Sequence, residues 1–256
     1  MEWSAPVIVL ATRPFGEGDV LATVFGAEQG VWRGLARGGG GRRGTALWQP
    51  GNLLAARWVA RLPEQLGTLS GEMVHPAAAL AMNDGLALAI LNAAAAVAEG
   101  ALPERVPEPQ IFAGLLDLIT RLSEGAALLS DFVRWEKALL AALGYGLDLS
   151  RCAVSGSVEA LAFVSPRSGR AVSRAEAAPW QGRLLPLPRF LLDEAASGPE
   201  DWRDGLRLTG HFLARAVFGL HHRPLPQARL LLYDRVAALA ANTESPSSCP
   251  TPSPNA

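Results

Sequence analysis

Residues 31–51, VWRGLARGGGGRRGTALWQPG, set four arginines and two tryptophans around four consecutive glycines and contain no acid. Cations on a glycine-rich backbone suit phosphate, so nucleotide-binding loops are the first chemistry to weigh. Gly39, Gly41 and Gly44 satisfy the G-x-G-x-x-G spacing, and residues 39–45 half-match a Walker loop. The Walker loop needs a lysine before its hydroxyl residue to reach the β/γ-phosphates, and here Thr45 directly follows Gly44. A dinucleotide loop needs a helix opening at the glycines, with its amides on the pyrophosphate. The run from Thr45 to Gln49 into the Pro50-Gly51 turn predicts no such helix. What remains is a basic loop that touches an anionic partner, or a solvated hairpin loop.

The basic stripe is wider than the loop. No acid lies between Glu28 and Glu64, while Arg33, Arg37, Arg42, Arg43, Arg57 and Arg61 do. On a chain of formal net charge −1 this marks one local anion-binding surface, not a globally basic protein. Lys137 is the one lysine, and alanine and glycine are abundant, so the choice of arginine over lysine carries no argument of its own.

Elsewhere the residue types of catalysis do not gather. His221 and His222 are adjacent and, with Arg223, are expected to cap a helix C-terminus. Neither H-E-x-x-H, nor G-x-S-x-G, nor a pair of carboxylates at catalytic spacing is present. Cys152 lacks the partner of a C-x-x-C half-site, that position being Ser155, and Cys249 lies near the C-terminus. No metal, no cofactor and no enzymatic activity are expected. Two cysteines make no disulfide framework, which fits a reducing compartment. No signal peptide is evident at the N-terminus, and the alanine-rich stretch 77–98 carries Asn83, Asp84 and Asn92, so no membrane span is expected and the location expected is cytoplasmic.

The elements that must hold the loop follow from periodicity. With 49% hydrophobic and 18% charged residues the chain is core-forming. The fold class expected is α+β in two domains. Residues 1–75 hold five short strands (6–11, 19–26, 31–36, 52–61 and 65–73), suiting a small closed β-barrel of the OB type, though periodicity alone leaves an SH3-like barrel open. Residues 76–242 are mainly α-helical, with helices at 77–99, 110–123, from a Ser130-Asp131 cap to 143, 201–220 and 225–241. An irregular insert at about 147–199 carries a hairpin of Ala160–Ser165 and Arg170–Ser173. Residues 243–256 are Pro/Ser-rich and expected to be disordered.

Several stretches together resemble the RecO family of bacterial DNA repair and recombination mediator proteins. Val9–Glu17 (VLATRPFGE), Val24-Phe25, Gly30-Val31, the basic Gly34–Gly38 and Leu47–Gly51 carry the N-terminal part of the likeness. Phe132–Leu140, Leu143–Asp148, Arg151–Ala153 and Phe163–Ser173 carry the rest, in family order and spacing. The resemblance implies an OB-fold followed by a helical domain and binding of single- and double-stranded DNA. It also implies annealing of complementary strands and cooperation with RecR in loading RecA onto strands coated by single-stranded DNA-binding protein (SSB). Some members hold zinc on four cysteines in the insert; only Cys152 falls at such a position here, so zinc is not carried over.

On this reading Arg37, Arg42 and Arg43 meet phosphates, and Arg33 and Arg57 extend the groove. Trp48, with Trp32 and Trp58, supplies stacking candidates, at least one of which belongs to the core. Arg134 and Lys137, one helical turn apart, with Trp135 beside them, are the candidates for the acidic, aromatic-ended C-terminal tail of SSB. An RNA- or ribosome-associated OB adaptor is the alternative function, and an enzyme with an unrecognised site the third.

Overall fold

The computed structural model describes residues 1–62, 65–180, 182–193 and 195–244. It opens with β1 (Glu2–Phe15), β2 (Asp19–Gly26) and β3 (Gly30–Ala36), then a short helix α1 (Arg42–Leu47), then β4 (Leu53–Val59) and β5 (Gly67–His75). The five strands close into a barrel in the order β1-β2-β3-β5-β4. Every pairing is antiparallel except the short parallel closure of β3 on β5, which is the OB arrangement.

β1 is much longer than the apolar run 6–11 predicts, because it changes partners along its length. Residues 2–8 pair with β4 and residues 7–15 with β2, with a register shift between Val9 and Ala11. Pro6 and Pro14 each lie where the strand has a neighbour on one side only, which is where strand prolines are tolerated.

Alternation splits the barrel residues between two cores. Val7, Val9, Val24, Leu54 and Trp58 fill the barrel interior. Ile8, Leu10, Phe25, Val31 and Leu53 point outward into the core of the helical part. Phe25 meets Phe112 edge-on at 5.5 Å. Strands buried on both faces lose polar alternation, which is why residues 7–10 read Val-Ile-Val-Leu.

After His75 the chain is helical: α2 (Ala77–Ala81), α3 (Gly85–Ala101), α4 (Pro109–Thr120) and α5 (Leu128–Ala142). The single helix expected over 77–99 is broken, because Asp84 caps a new start by accepting the N–H groups of Leu86 and Ala87. The Ser130-Asp131 cap is also corrected. α5 begins at Leu128, and Ser130 lies inside it, hydrogen-bonded to Ser197 and Trp202. The insert forms a three-stranded sheet, β6 (Leu161–Val164), β7 (Ala171–Ser173) and β8 (Leu185–Pro186), with β6 in the middle.

Helix α6 (Pro199–Phe212) runs into a π-helical turn over 213–218 rather than continuing to 220, and Leu220 is exposed. The segment ends at His222, which adopts the left-handed conformation (φ 52°). Helix α7 (Gln227–Glu244) follows. Thr243 and Glu244 continue α7, and the rest of the tail expected over 243–256 lies outside the described residues.

Candidate nucleic-acid interface

The glycine stretch is a built corner, not a solvated hairpin loop. Gly39 N–H donates to Ala36 O (3.2 Å) and Gly41 N–H to Gly38 O (3.1 Å). The reversal requires Gly38 at φ +66°. Contrary to the sequence expectation, a helix, α1, then opens at the glycines. It can do so because Gly44 has no Cβ; one there would stand 2.5 Å from Gly38 O and 2.6 Å from Gly39 Cα. Six residues are under two turns, and no lysine precedes Thr45, so neither phosphate-loop chemistry is restored.

Two bonds stitch this corner to the β1–β2 hairpin. Gly40 N–H donates to Gly18 O (2.9 Å), and Gly38 N–H donates to Asp19 Oδ1 (2.7 Å). The hairpin tip, residues 15–18, and the loop, residues 37–44, are therefore one surface. Arg37, Arg42 and Arg43 are exposed on it, and among the described residues none of the three makes an ion pair. Arg42 and Arg43 sit in the first turn of α1, where the helix dipole gives basic side chains no support. Helix stability does not explain their placement. The acids of the hairpin are Glu17 and Asp19, and Asp19 is engaged by the Gly38 amide.

Phe15, last residue of β1, is 50% exposed at the same corner. A large apolar ring held out of the core on the corner that carries three exposed cations can stack on a base, and the sequence reading did not single it out. The available signal was its position in Pro14-Phe15-Gly16, where a hairpin tip offers an aromatic ring no interior to reach.

The other sequence candidates go elsewhere. Trp48 is 4% exposed and belongs to the barrel core beneath the loop. Trp32 and Trp58 are likewise core. Their rings meet at 4.6 Å, and their indole N–H groups donate to Gln29 O and Arg33 O. None of the three presents a face for a base. Arg33 is paired with Glu104 (2.9 Å) and reaches Glu99 (3.8 Å), across the seam between barrel and helices. Arg57 pairs with Glu2 at 2.8 Å, a hydrogen bond that holds the Glu2 carboxyl below its ordinary value. These two cations are neutralised in place, which leaves Arg37, Arg42 and Arg43 of the loop, and Arg61 beyond β4, as the arginines of the stripe without an ion pair among the described residues.

At α5 the predicted peptide site is also reorganised. Trp135 is buried, its indole N–H donating to Ile111 O (3.1 Å). Arg134 bonds Asp131 (2.9 Å) and Phe190 O (3.1 Å), while Lys137 points at Leu191 O (3.4 Å). Burial, with the neighbouring Arg134 charge, lowers the Lys137 ammonium from its ordinary value. Both cations hold the turn at residues 189–191, and Trp135 flanks no surface.

Cys152 does not fit a zinc site. Its sulfur accepts the Ser173 N–H (3.3 Å). Burial raises the thiol, but hydrogen bonds from Ser155 and Ser173 outweigh that and bring it to about 6. Among the described residues no cluster of three His, Cys, Asp or Glu side chains could hold a metal; Cys249 lies outside them. No helix among them is long and apolar enough to cross a membrane.

Compared with known proteins, residues 1–77 match the family described as Recombination protein O N terminal, and residues 82–225 match Recombination protein O C terminal. The DNA repair protein RecO of Granulibacter bethesdensis is 60% identical over 242 residues, covering 93% of this chain and 97% of that protein. That of Acidiphilium cryptum is 60% identical over 240 residues, 92% and 96% of the two chains. That of Rhodospirillum rubrum is 46% identical over 248 residues, 94% and 98%.

Proposed function

This chain belongs to the RecO family of DNA repair proteins, non-enzymatic mediators, and we propose that it binds single- and double-stranded DNA through the loop corner of its barrel. On this reading it anneals complementary strands in the cytoplasm and, with RecR, helps load RecA onto SSB-coated single strands. The observation that carries the reading is the set of three arginines, unpaired among the described residues, with an exposed phenylalanine on one ordered surface. Arginines without acidic partners meet phosphates without first breaking an ion pair. A ring beside them stacks any base, so the grip is indifferent to sequence. An annealer needs that indifference, and it needs no nucleophile or metal.

The experiment is annealing of two complementary oligonucleotides, each alone or coated with SSB, followed by loss of single-strand signal. The protein is expected to accelerate annealing in both cases. No acceleration over the spontaneous rate in either would overturn the reading. Phe15→Ala is expected to weaken single-strand binding by about 1–3 kcal/mol with an unchanged melting temperature, because the ring contributes little to either core. Fluorescence anisotropy with an oligo-dT probe checks this. Equal affinity would remove Phe15 from the interface.

A further inference from the structure

The chain has seven tryptophans, and among the described residues Trp180 is the one of them that is exposed, at 48%. It sits far from the loop in sequence, on a short 3₁₀ turn, Ala178–Trp180, of the insert. Beside it opens a cavity of about 370 Å³ walled by Val154, Pro166, Val172 and Leu184, with Arg167 and Arg183 among its lining and no acid. Both arginines are exposed, and among the described residues neither has an ion-pair partner.

The walls are fixed from several directions. His211 in the last turn of α6 and Arg215 in the π-helical turn after it both hydrogen-bond the Pro166 carbonyl (3.1 and 2.6 Å). Ala153 N–H donates to Ala171 O (2.8 Å), and Arg183 N–H donates to Trp180 O (2.9 Å). The cavity is thus preformed, which limits the ordering cost of binding. Its volume is at the small-ligand end of the range, about 300–1,000 Å³, enough for one flat ring and its attached sugar.

We propose that this pocket is a second nucleic-acid contact, taking one unstacked base of single-stranded DNA against Trp180 with the adjoining phosphates on Arg167 and Arg183. The inference rests on the DNA-binding reading above. An indole face is a sequence-tolerant partner for a base, and flanking guanidiniums supply the complementary charge. A strand held at the barrel corner and a base held at the insert give the protein two grips on single-stranded DNA, as pairing two strands requires.

The test uses the full chain and an oligo-dT probe of fifteen nucleotides in anisotropy titrations, with 5-iododeoxyuridine substituted for photo-crosslinking. Trp180→Ala is expected to weaken binding about tenfold, within the range that loss of one stacked base gives. Trp180→Phe is expected to restore most of it, and crosslinks in the native protein should map to Trp180. Arg167→Glu with Arg183→Glu is expected to weaken the probe at least as much, which keeps the proposal testable should Trp180→Ala disturb the fold. Unchanged affinity in these variants with no crosslink at Trp180 overturns the pocket. If the Arg37, Arg42 and Arg43 variant still loses affinity in the same assay, the barrel interface stands without it. Displacement of the Trp180 crosslink by an acidic, aromatic-ended peptide, with oligo-dT affinity unchanged in Trp180→Ala, overturns it in favour of a peptide site.

Discussion

Replacing Arg37, Arg42 and Arg43 together by alanine makes the log–log salt slope of single-strand binding less negative by about two units, at roughly 0.7 per phosphate contact. At about 0.1 M salt that difference corresponds to an affinity loss on the order of a hundredfold, vanishing as the salt approaches 1 M. The fold is expected to be indifferent, because all three side chains are exposed and unpaired among the described residues. The same assay on Arg33→Ala and Arg57→Ala is the internal control. Each is held by an acid, Arg33 by Glu104 and Arg57 by Glu2. A cation already held by an acid makes no phosphate contact to lose, so the expected slope change is under half a unit. A slope unchanged in the triple variant, or changed as strongly by Arg33→Ala, would move the phosphate contacts off the loop.

That contrast shows what the sequence could and could not say about the interface. The stripe from Arg33 to Arg61 is acid-free only along the chain. The acids that neutralise Arg33 come from α3 and the segment after it, about seventy residues away, and the one that neutralises Arg57 comes from the second residue. Linear charge counting finds the region and over-counts its members. Only three-dimensional pairing separates the loop arginines from Arg33 and Arg57. Tryptophan fails for a related reason: its type announces burial or stacking without choosing between them. Trp32 and Trp58 filled the barrel because their strand positions alternate inward, Trp48 entered it from the end of α1, and the exposed aromatics among the described residues were Phe15, Tyr145 and Trp180.

The fold was more legible than the site. Alternation over residues 19–26 and 31–36 located two barrel strands almost to the residue, and the change to helical spacing after Pro76 located the helices. The failures have local causes. α1 was invisible because six residues carry too little periodicity, and the glycines before it oppose helix propensity. The break at Asp84 was hidden in an alanine-rich run in which every face is apolar. The shared core, with Ile8 and Phe25 facing helices, was beyond reach, since an apolar run does not say which of its faces meets which neighbour. Because that core joins barrel and helices, the two parts are expected to unfold in one cooperative transition rather than two.

One pair has an outsized part in holding the helical side together. Arg229 of α7 is 1% exposed and Glu136 of α5 is fully buried. The guanidinium donates to both carboxylate oxygens, Nε to Oε1 at 2.6 Å and Nη2 to Oε2 at 2.9 Å, and Nη2 also donates to Leu206 O of α6 at 2.8 Å. Thr209 of α6 donates its hydroxyl to the same carboxylate. Three helices thus meet at one satisfied charge pair. Removing one member strands the other in the core, a cost of about 3–5 kcal/mol. Arg229→Met is therefore expected to lower the melting temperature by about 10 °C, at roughly 2–4 °C per kcal/mol for a chain of this size. Removing both members leaves less unpaired. In Glu136→Leu/Arg229→Met the Thr209 hydroxyl keeps its bond to Gly205 O (3.1 Å), and the chief orphan is the Leu206 carbonyl. The double variant should melt above either single variant, the sign of coupling that a desolvated ion pair gives. Thermal melts of the four proteins decide it: additive losses would mean that the two side chains stabilise the helices independently, through their packing rather than their charge.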